Sequence, residues 1–186
     1  METKLIKNTR DNLPKFLKKM GFKIGAEIGV YKAAFTDKFC KEGFKMYGID
    51  PYHSYTTTGR VYKDDKRQQF LYEHAHRVLK KYNDCTIIRK TSMDAVKMFR
   101  DSSLDFVYID GDHSFSHVAE DIQAWAYKVK KGGIVAGHDY CANVGGIEKN
   151  INQVGPVIDA YVKAFNVKKL YVFGNKDHAS SWFFVR

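Results

Sequence analysis

The fold this sequence predicts is a doubly wound α/β sheet, mostly parallel and closed by an antiparallel pair. Three observations carry that expectation. Short β-rich apolar runs alternate with helical patterns along most of the chain, and those runs end in glycine or acidic residues. The tail then breaks the rhythm, because "VKKLYVFG" and "SSWFFVR" are joined only by "NKDHAS". A link that short has no room for a crossover helix, so the last two strands are expected to form a hairpin. Five βα steps and a hairpin give a seven-stranded sheet with an antiparallel edge.

Each element has its own signal. "KIGAEIGV" (Lys23–Val30) reads as a strand ending in a glycine turn, and "AFTDKFCKEG" as a helix closed by Gly43 at its C′ position. "KMYGID" (Lys45–Asp50) is the second strand. Arg67 to Tyr82 sets Phe70, Leu71, Ala75, Val78 and Leu79 on one helical face. "CTIIRK" is the third strand, and "SMDAVKMF" a short helix with Ser92 as its expected N-cap. Leu104–Asp110 is the fourth strand, followed by a helix from about Ser114 to Lys130 that stops at Gly132–Gly133. "GIVAGHDY" is the fifth strand, and a helix within Gly146–Phe165 is expected to be interrupted around Gly155–Pro156. The stretch "PYHSYTTTGRVYKDDK" has no clear periodicity and reads as a polar, aromatic-bearing lid or binding loop, or a merely mobile one.

A chain of 186 residues fits a single domain, 1–186, able to bury a core without disulfide or metal staples. Hydrophobic residues at 44% and aromatics at 15% exclude intrinsic disorder. No apolar run reaches the length of a membrane span, and "METKLIKNTRDNLPKF" lacks the apolar region of a signal peptide. Cys40, Cys85 and Cys141 form no CxxC pair and read as free thiols, which points to a cytoplasmic protein. The net charge of +10 permits anionic partners. The lysines, however, are spread over helix faces rather than gathered in one tract, so a soluble basic surface is the expectation, without a nucleic-acid groove or a membrane partner.

The chemistry sits at the strand ends, where open parallel sheets bind their ligands. The first strand ends in Glu27-Ile28-Gly29-Val30, the second in Asp50-Pro51 and the third near Ser92-Met93. The fourth runs from the apolar "LDFVYI" straight into Asp110, Asp112 and His113, and the fifth ends in His138-Asp139-Tyr140. Unpaired carboxylates resist burial, so a cluster of this kind means solvent, a cation or a catalytic task. Asp50 follows Gly29 by about twenty positions, the spacing at which an acidic side chain grips ribose hydroxyls. The glycine turn holds Gly29 alone, with Ala33 and Ala34 in the later positions. It lacks the full cradle that brings backbone N–H groups onto a pyrophosphate, and so suits a nucleoside ligand without phosphate.

Four ordered motifs, Glu27–Val30 ("EIGV"), Gly48–Pro51 ("GIDP"), Asp105–Ser114 ("DFVYIDGDHS") and Gly132–Tyr140 ("GGIVAGHDY"), resemble the small branch of class I S-adenosylmethionine-dependent methyltransferases. The resemblance covers Lys23 to Tyr140 and implies a Rossmann-like fold. Ala33 departs from it, standing where the family commonly has glycine. The resemblance implies S-adenosyl-L-methionine as cofactor, with Glu27, Gly29 and Val30 along its methionine part, Asp50 and Pro51 at the ribose, Ser92 and Met93 at the adenine, and Asp110 beside the sulfonium. Each residue also has a plainer role. Glu27 reads equally as a loop brace, Asp50 as a turn former, Met93 as core and His113 as a helix cap.

Methyl transfer needs alignment of nucleophile, methyl and sulfur and, for a hydroxyl acceptor, a route for its proton. His113 or His138 would serve as general base, with Asp110 beside them. Alternatively Asp110, His138 and Asp139 would hold a divalent metal ion, with the histidine favouring a softer one. "IDGDH" stands where base-methylating enzymes usually carry an (N/D)PP(Y/F) turn, so the expected acceptor is a small molecule, most readily a hydroxyl oxygen of a sugar or polyol. Tyr52, His53 and Tyr55 are candidates to touch it. Two other classes stay open at this point. One is a metal-dependent hydrolase or hydroxylase built on the Asp/His cluster, and the other a non-catalytic nucleic-acid-binding module.

Overall fold

The structure is a computed structural model and describes residues 2–7, 9–57, 60–62, 64–140, 152–173 and 180–186. Cys141, the expected helix start at Gly146 and nearly all of the "NKDHAS" link lie outside the described residues.

The parallel run of the sheet starts at β2 (Ile24–Ile28) and steps outward through α2 (Ala34–Lys41), β3 (Lys45–Ile49), α3 (Asp65–Leu79) and β6 (Cys85–Ile88). It then crosses to the other side of β2 with β7 (Leu104–Ile109), α5 (Phe115–Lys128) and β8 (Val129–Tyr140). These strands are parallel throughout. The order reverses between β2 and β7, which makes their carboxyl ends the switch point of the sheet. After α6 (Val154–Ala164), the strands β9 (Lys169–Phe173) and β10 (Ser180–Val185) pair antiparallel, and β10 docks antiparallel on β8. The expected seven strands are therefore present. An eighth, β1 (Glu2–Ile6), lies beyond β9 and parallel to it. Within the stretch that showed no periodicity, β4 (Tyr55–Thr57) and β5 (Arg60–Tyr62) pair antiparallel.

The central strands are apolar on both faces because helices cover both. In β7, Phe106 and Tyr108 face α1 (Leu13–Lys19), α2 and α3, while Val107 and Ile109 face α5 and α6. Gly25 makes room for this packing, since a Cβ there would stand 2.1 Å from the Phe106 ring.

Several local expectations are corrected. Thr91, not Ser92, caps α4 (Ser92–Ala95): its extended backbone presents Oγ1 to the Asp94 N–H at 3.2 Å, so the Ser92 hydroxyl is released for other work. Phe70 is exposed, and α3 buries Gln68, Leu71, Ala75 and Leu79 instead. Gly155 and Pro156 do not interrupt α6 but lie in its first turn, where proline's missing N–H costs no bond. The helix α5 ends at Lys128, ahead of the glycine pair; Val129 already pairs with Leu104, and the register shifts before Ile134 meets Phe106.

Candidate active site

The exits of β2, β3 and β7 are laced together by their own backbone. The Gly29 N–H donates to the Ile49 carbonyl at 2.9 Å, and the Asp110 N–H to the Ile28 carbonyl at 2.8 Å. Gly29 has φ +88°, and a Cβ on it would fall 2.1 Å from the Asp110 carbonyl oxygen, so no side chain fits. Beyond it Tyr31 (φ 52°) and Ala33 (φ 62°) are also left-handed, as are Tyr52 (φ 45°) and Asp139 (φ 61°) at two other strand ends. Left-handed backbone in non-glycine residues costs energy and tends to gather at functional sites.

Asp50 ties this rim together. Its Oδ2 accepts the Tyr31 N–H at 2.9 Å and its Oδ1 the Tyr52 N–H at 3.0 Å. Burial pushes its carboxyl up, and the backbone donors oppose that rise. The Tyr52 hydroxyl donates to the Tyr31 carbonyl at 2.9 Å, and Arg89 donates to the Tyr52 carbonyl at 2.9 Å.

A cavity of about 430 Å³ opens over these strand ends. Gly29, Asp50, Pro51, Ser92, Met93 and Asp110 line it, so six of the residues expected at the cofactor share this cavity. Tyr52 and His53 line it as well, although the Tyr52 hydroxyl is committed to the loop. The side chain of Tyr55 lies outside the described residues.

Of the expected site residues, Glu27 and Val30 do not line the cavity, and neither do His113, His138 and Asp139. Glu27 is 2% exposed and accepts the Thr36 hydroxyl, which joins β2 to α2. Burial pushes its carboxyl up to about 8, against the pull of the Thr36 bond, so it is largely neutral near pH 7. Bracing, one of its two sequence readings, is the role its contacts support. Val30 is buried in the core that α2 forms on the sheet.

Beside Asp110 stands a second group. Oδ2 of Asp139 accepts from both imidazoles, His138 Nδ1 at 3.0 Å and His113 Nε2 at 3.1 Å. Burial alone would raise the Asp139 carboxyl, but these two bonds outweigh it and hold the group far below the usual carboxylate range. The bond to Asp139 raises His113. Burial pushes Asp110 up to about 6, opposed by His138. His113 is not a helix cap, since Ser114 takes that position. Asp112 supports the helix start by accepting the Ser114 N–H at 2.8 Å.

The expected metal set is altered by this geometry. Asp110, His113 and Asp139 each offer a ligand atom within 4.8 Å of the others, so His113 stands where His138 was expected. His138 instead turns its Nδ1 to Asp139 and sits 4.0 Å from Asp110 Oδ1.

Arg10 was not anticipated from the sequence. Its Nη1 donates to Asp110 Oδ2 at 3.3 Å, and its guanidinium lies 5.1 Å above the Phe35 ring. The strand β1 runs parallel to β9, and so delivers the segment after it to the rim where the parallel strands end. The strand-end logic begins at β2 and holds no signal for a residue upstream of it.

A nucleoside-sized cavity at the switch point, flanked by acids from adjoining strands, defines an α/β enzyme that takes its ligand across the strand ends. The sequence profile of a family described as a methyltransferase domain matches residues 22–140, and the chain belongs to that family. A search of curated proteins finds no match. Among solved structures, an O-methyltransferase from Bacillus cereus in complex with SAH superposes with TM-score 0.68 at 12% identity, covering 95% of this chain and 80% of that one. The N-methyltransferase NodS from Bradyrhizobium japonicum, also with S-adenosyl-L-homocysteine, gives 0.61 at 14% identity, covering 95% and 85%. At these identities the likeness is one of fold, shared by oxygen and nitrogen methylators alike. Membership of the family disfavours the hydrolase, hydroxylase and nucleic-acid-binding alternatives. Among the described residues no helix is long and apolar enough to cross a membrane.

Proposed function

We propose that the protein transfers a methyl group from S-adenosyl-L-methionine to a hydroxyl oxygen of a small molecule. The observation that carries this reading is the cavity shared by Asp50 and Asp110, from the strands β3 and β7 that flank the Gly29 turn. The family match supports it, and so do the product-bound neighbours.

The residues fit the donor. Asp50 accepts backbone N–H groups from Tyr31, Tyr52 and Val30, and a carboxylate with about four lone-pair sites still has room for a ribose hydroxyl. Gly29 lets the chain pass without a side chain that would fill the turn. When bound, the donor supplies a methyl group made electrophilic by the sulfonium. Asp110, half-screened by Arg10, places negative charge on that side of the cavity. His113 and His138 are the candidate proton acceptors for the hydroxyl, and Asp139 orients both. The nitrogen of His138 that Asp139 does not engage is Nε2, and on His113 it is Nδ1.

The convergence of Asp110, His113 and Asp139 supports a second reading for the same step. Those three would hold a divalent cation that lowers the hydroxyl pKa. The fit is contested within the set, because Arg10 already donates to Asp110.

Calorimetry with S-adenosylmethionine and S-adenosylhomocysteine, together with a methyl-transfer assay over a panel of hydroxyl acceptors, each with and without EDTA, tests both. Binding of both ligands that EDTA leaves unchanged supports donor use, and turnover lost to EDTA selects the cation reading. Failure of both ligands to bind would overturn the assignment.

A further inference from the structure

Two thiols that methyl transfer does not use meet at the amino ends of the parallel strands, opposite the cavity. Cys40 stands in the last turn of α2, and Cys85 is the first residue of β6. Only residues 42–44 link α2 to β3, so the end of the helix is held over the start of that strand, where Met46 pairs with Cys85. Both backbones are fixed there. The Gly43 N–H donates to the Cys40 carbonyl at 3.0 Å, and the Met46 N–H donates to the carbonyl of Asp84, next to Cys85, at 2.8 Å. Cys40 belongs to the buried cluster of Phe39, Phe44 and Met46, and the half-buried Cys85 packs against the same cluster.

Within that cluster the two side chains are hydrogen-bonded to each other. The bond lowers the Cys85 thiol and keeps the proton on Cys40, while burial and the Asp37 carboxylate oppose the ionisation of Cys85. Thiolate character and exposure decide which cysteine an oxidant attacks, and both single out Cys85. Cys40, 6% exposed, is shielded from solvent but not from Cys85. A sulfenic acid with a second thiol against it condenses to a disulfide.

We propose that Cys40 and Cys85 form a modification site, a thiol pair that a hydroperoxide converts into a reversible disulfide stapling α2 to the edge strand β6. The Cys85 sulfur attacks one peroxide oxygen, so an S–O bond forms as the O–O bond breaks. With hydrogen peroxide, the departing oxygen takes the Cys85 proton and leaves as water. The Cys40 sulfur then displaces the hydroxyl of the sulfenic acid, which leaves as water with the Cys40 proton. Each thiol gives up one electron, and the peroxide gains both. The strand that is tied down pairs with β3 alone, and its exit leads to Thr91, Ser92 and Met93 at the cavity. The inference is independent of the methyl-donor reading.

The test treats the whole chain, reduced and freed of reductant, with hydrogen peroxide at neutral pH. Alkylation under denaturing conditions, intact mass and a non-reducing peptide map read the product. It is expected to run as a single chain on a non-reducing gel and to be lighter by two hydrogen atoms. One alkylatable thiol of the three should remain, with a peptide pair joining Cys40 to Cys85. Dithiothreitol is expected to restore all three thiols. The oxidised form should melt higher by on the order of 5–10 °C, since the bridge restricts the unfolded chain. Cys141→Ser should still form the bridge, whereas Cys40→Ser should carry Cys85 on to the sulfinic acid, seen as two added oxygens. A wild-type product with sulfinic Cys85 and alkylatable Cys40, a bridge through Cys141, or no loss of thiols would overturn the proposal. An unchanged or lowered Tm in the bridged form would overturn the stapling. The wild-type map needs no variant and so does not depend on how the substitutions fold.

Discussion

Oδ2 of Asp50 accepts the backbone N–H of Tyr31 at 2.9 Å, which fastens the end of β3 to the turn that leaves β2. The same carboxylate thus shapes the turn and offers lone pairs to a ligand. Asp50→Ala is expected to weaken S-adenosylhomocysteine binding by about 1–3 kcal/mol and to lower stability by a similar amount. Asp50→Asn keeps one acceptor oxygen and should fall between the two. Unchanged affinity in the alanine variant, read by calorimetry, would remove Asp50 from the site.

Arg10 bears on the charge of Asp110. Burial raises that carboxyl to about 6, and His138 and Arg10 oppose the rise. Arg10→Gln removes a full positive charge while leaving a polar chain of similar reach. The acidic limb of the kcat/KM pH profile is expected to move toward higher pH, and the alkaline limb to stay in place. A merely structural arginine would lower activity at every pH without moving the limb.

Stability should fall as the pH is raised from the ordinary carboxylate range into the alkaline. Glu27 and Asp110 bind their protons more tightly folded than unfolded, so their contribution is full below about pH 4. It is lost as pH climbs through about 6 for Asp110 and about 8 for Glu27. For Glu27 the shift from 4.5 to about 8 corresponds to a stability term on the order of 5 kcal/mol. Asp139 has the opposite sign: its contribution is present above the ordinary range and lost only in strong acid. Glu27→Gln, which stays neutral, should flatten the fall of Tm between about pH 5 and 8, the interval between the unfolded and folded values of Glu27. An unaltered slope would show that Glu27 ionises freely.

The two turn residues of β2 should respond oppositely to substitution. Ala33 is left-handed at φ 62°, where glycine is at ease, so Ala33→Gly is expected to raise stability by up to about 1 kcal/mol. Gly29→Ala drives a methyl group to 2.1 Å from the Asp110 carbonyl and should cost more than about 3 kcal/mol, together with ligand binding. Chemical unfolding of both variants checks the pair.

The strand ends were legible because a buried strand gives way abruptly to polar residues, and this placed Gly29, Asp50 and Asp110 around one cavity. What the sequence hid was set by single-residue geometry. Asp139 turns left-handed and accepts from both imidazoles, so His113, from another strand end, enters the convergent set in place of its neighbour His138. One step in capping, from Ser92 to Thr91, freed the hydroxyl that holds Asp121. Asp121 itself lay inside a helix, where an acidic residue ordinarily reads as solvated surface. Arg10 was hidden by distance along the chain, since β1 is too short and too exposed to announce itself by pattern.

The outermost strand is also the least sheltered one. Glu2–Leu5 are exposed, and β1 is held in the sheet by β9 alone. Loosening of β1 would be expected to displace the Arg10 guanidinium from Asp110 before it disturbs the residues that line the cavity. A substitution that weakens the pairing of β1 with β9 would therefore register as an altered electrostatic balance at Asp110 before it registers as unfolding.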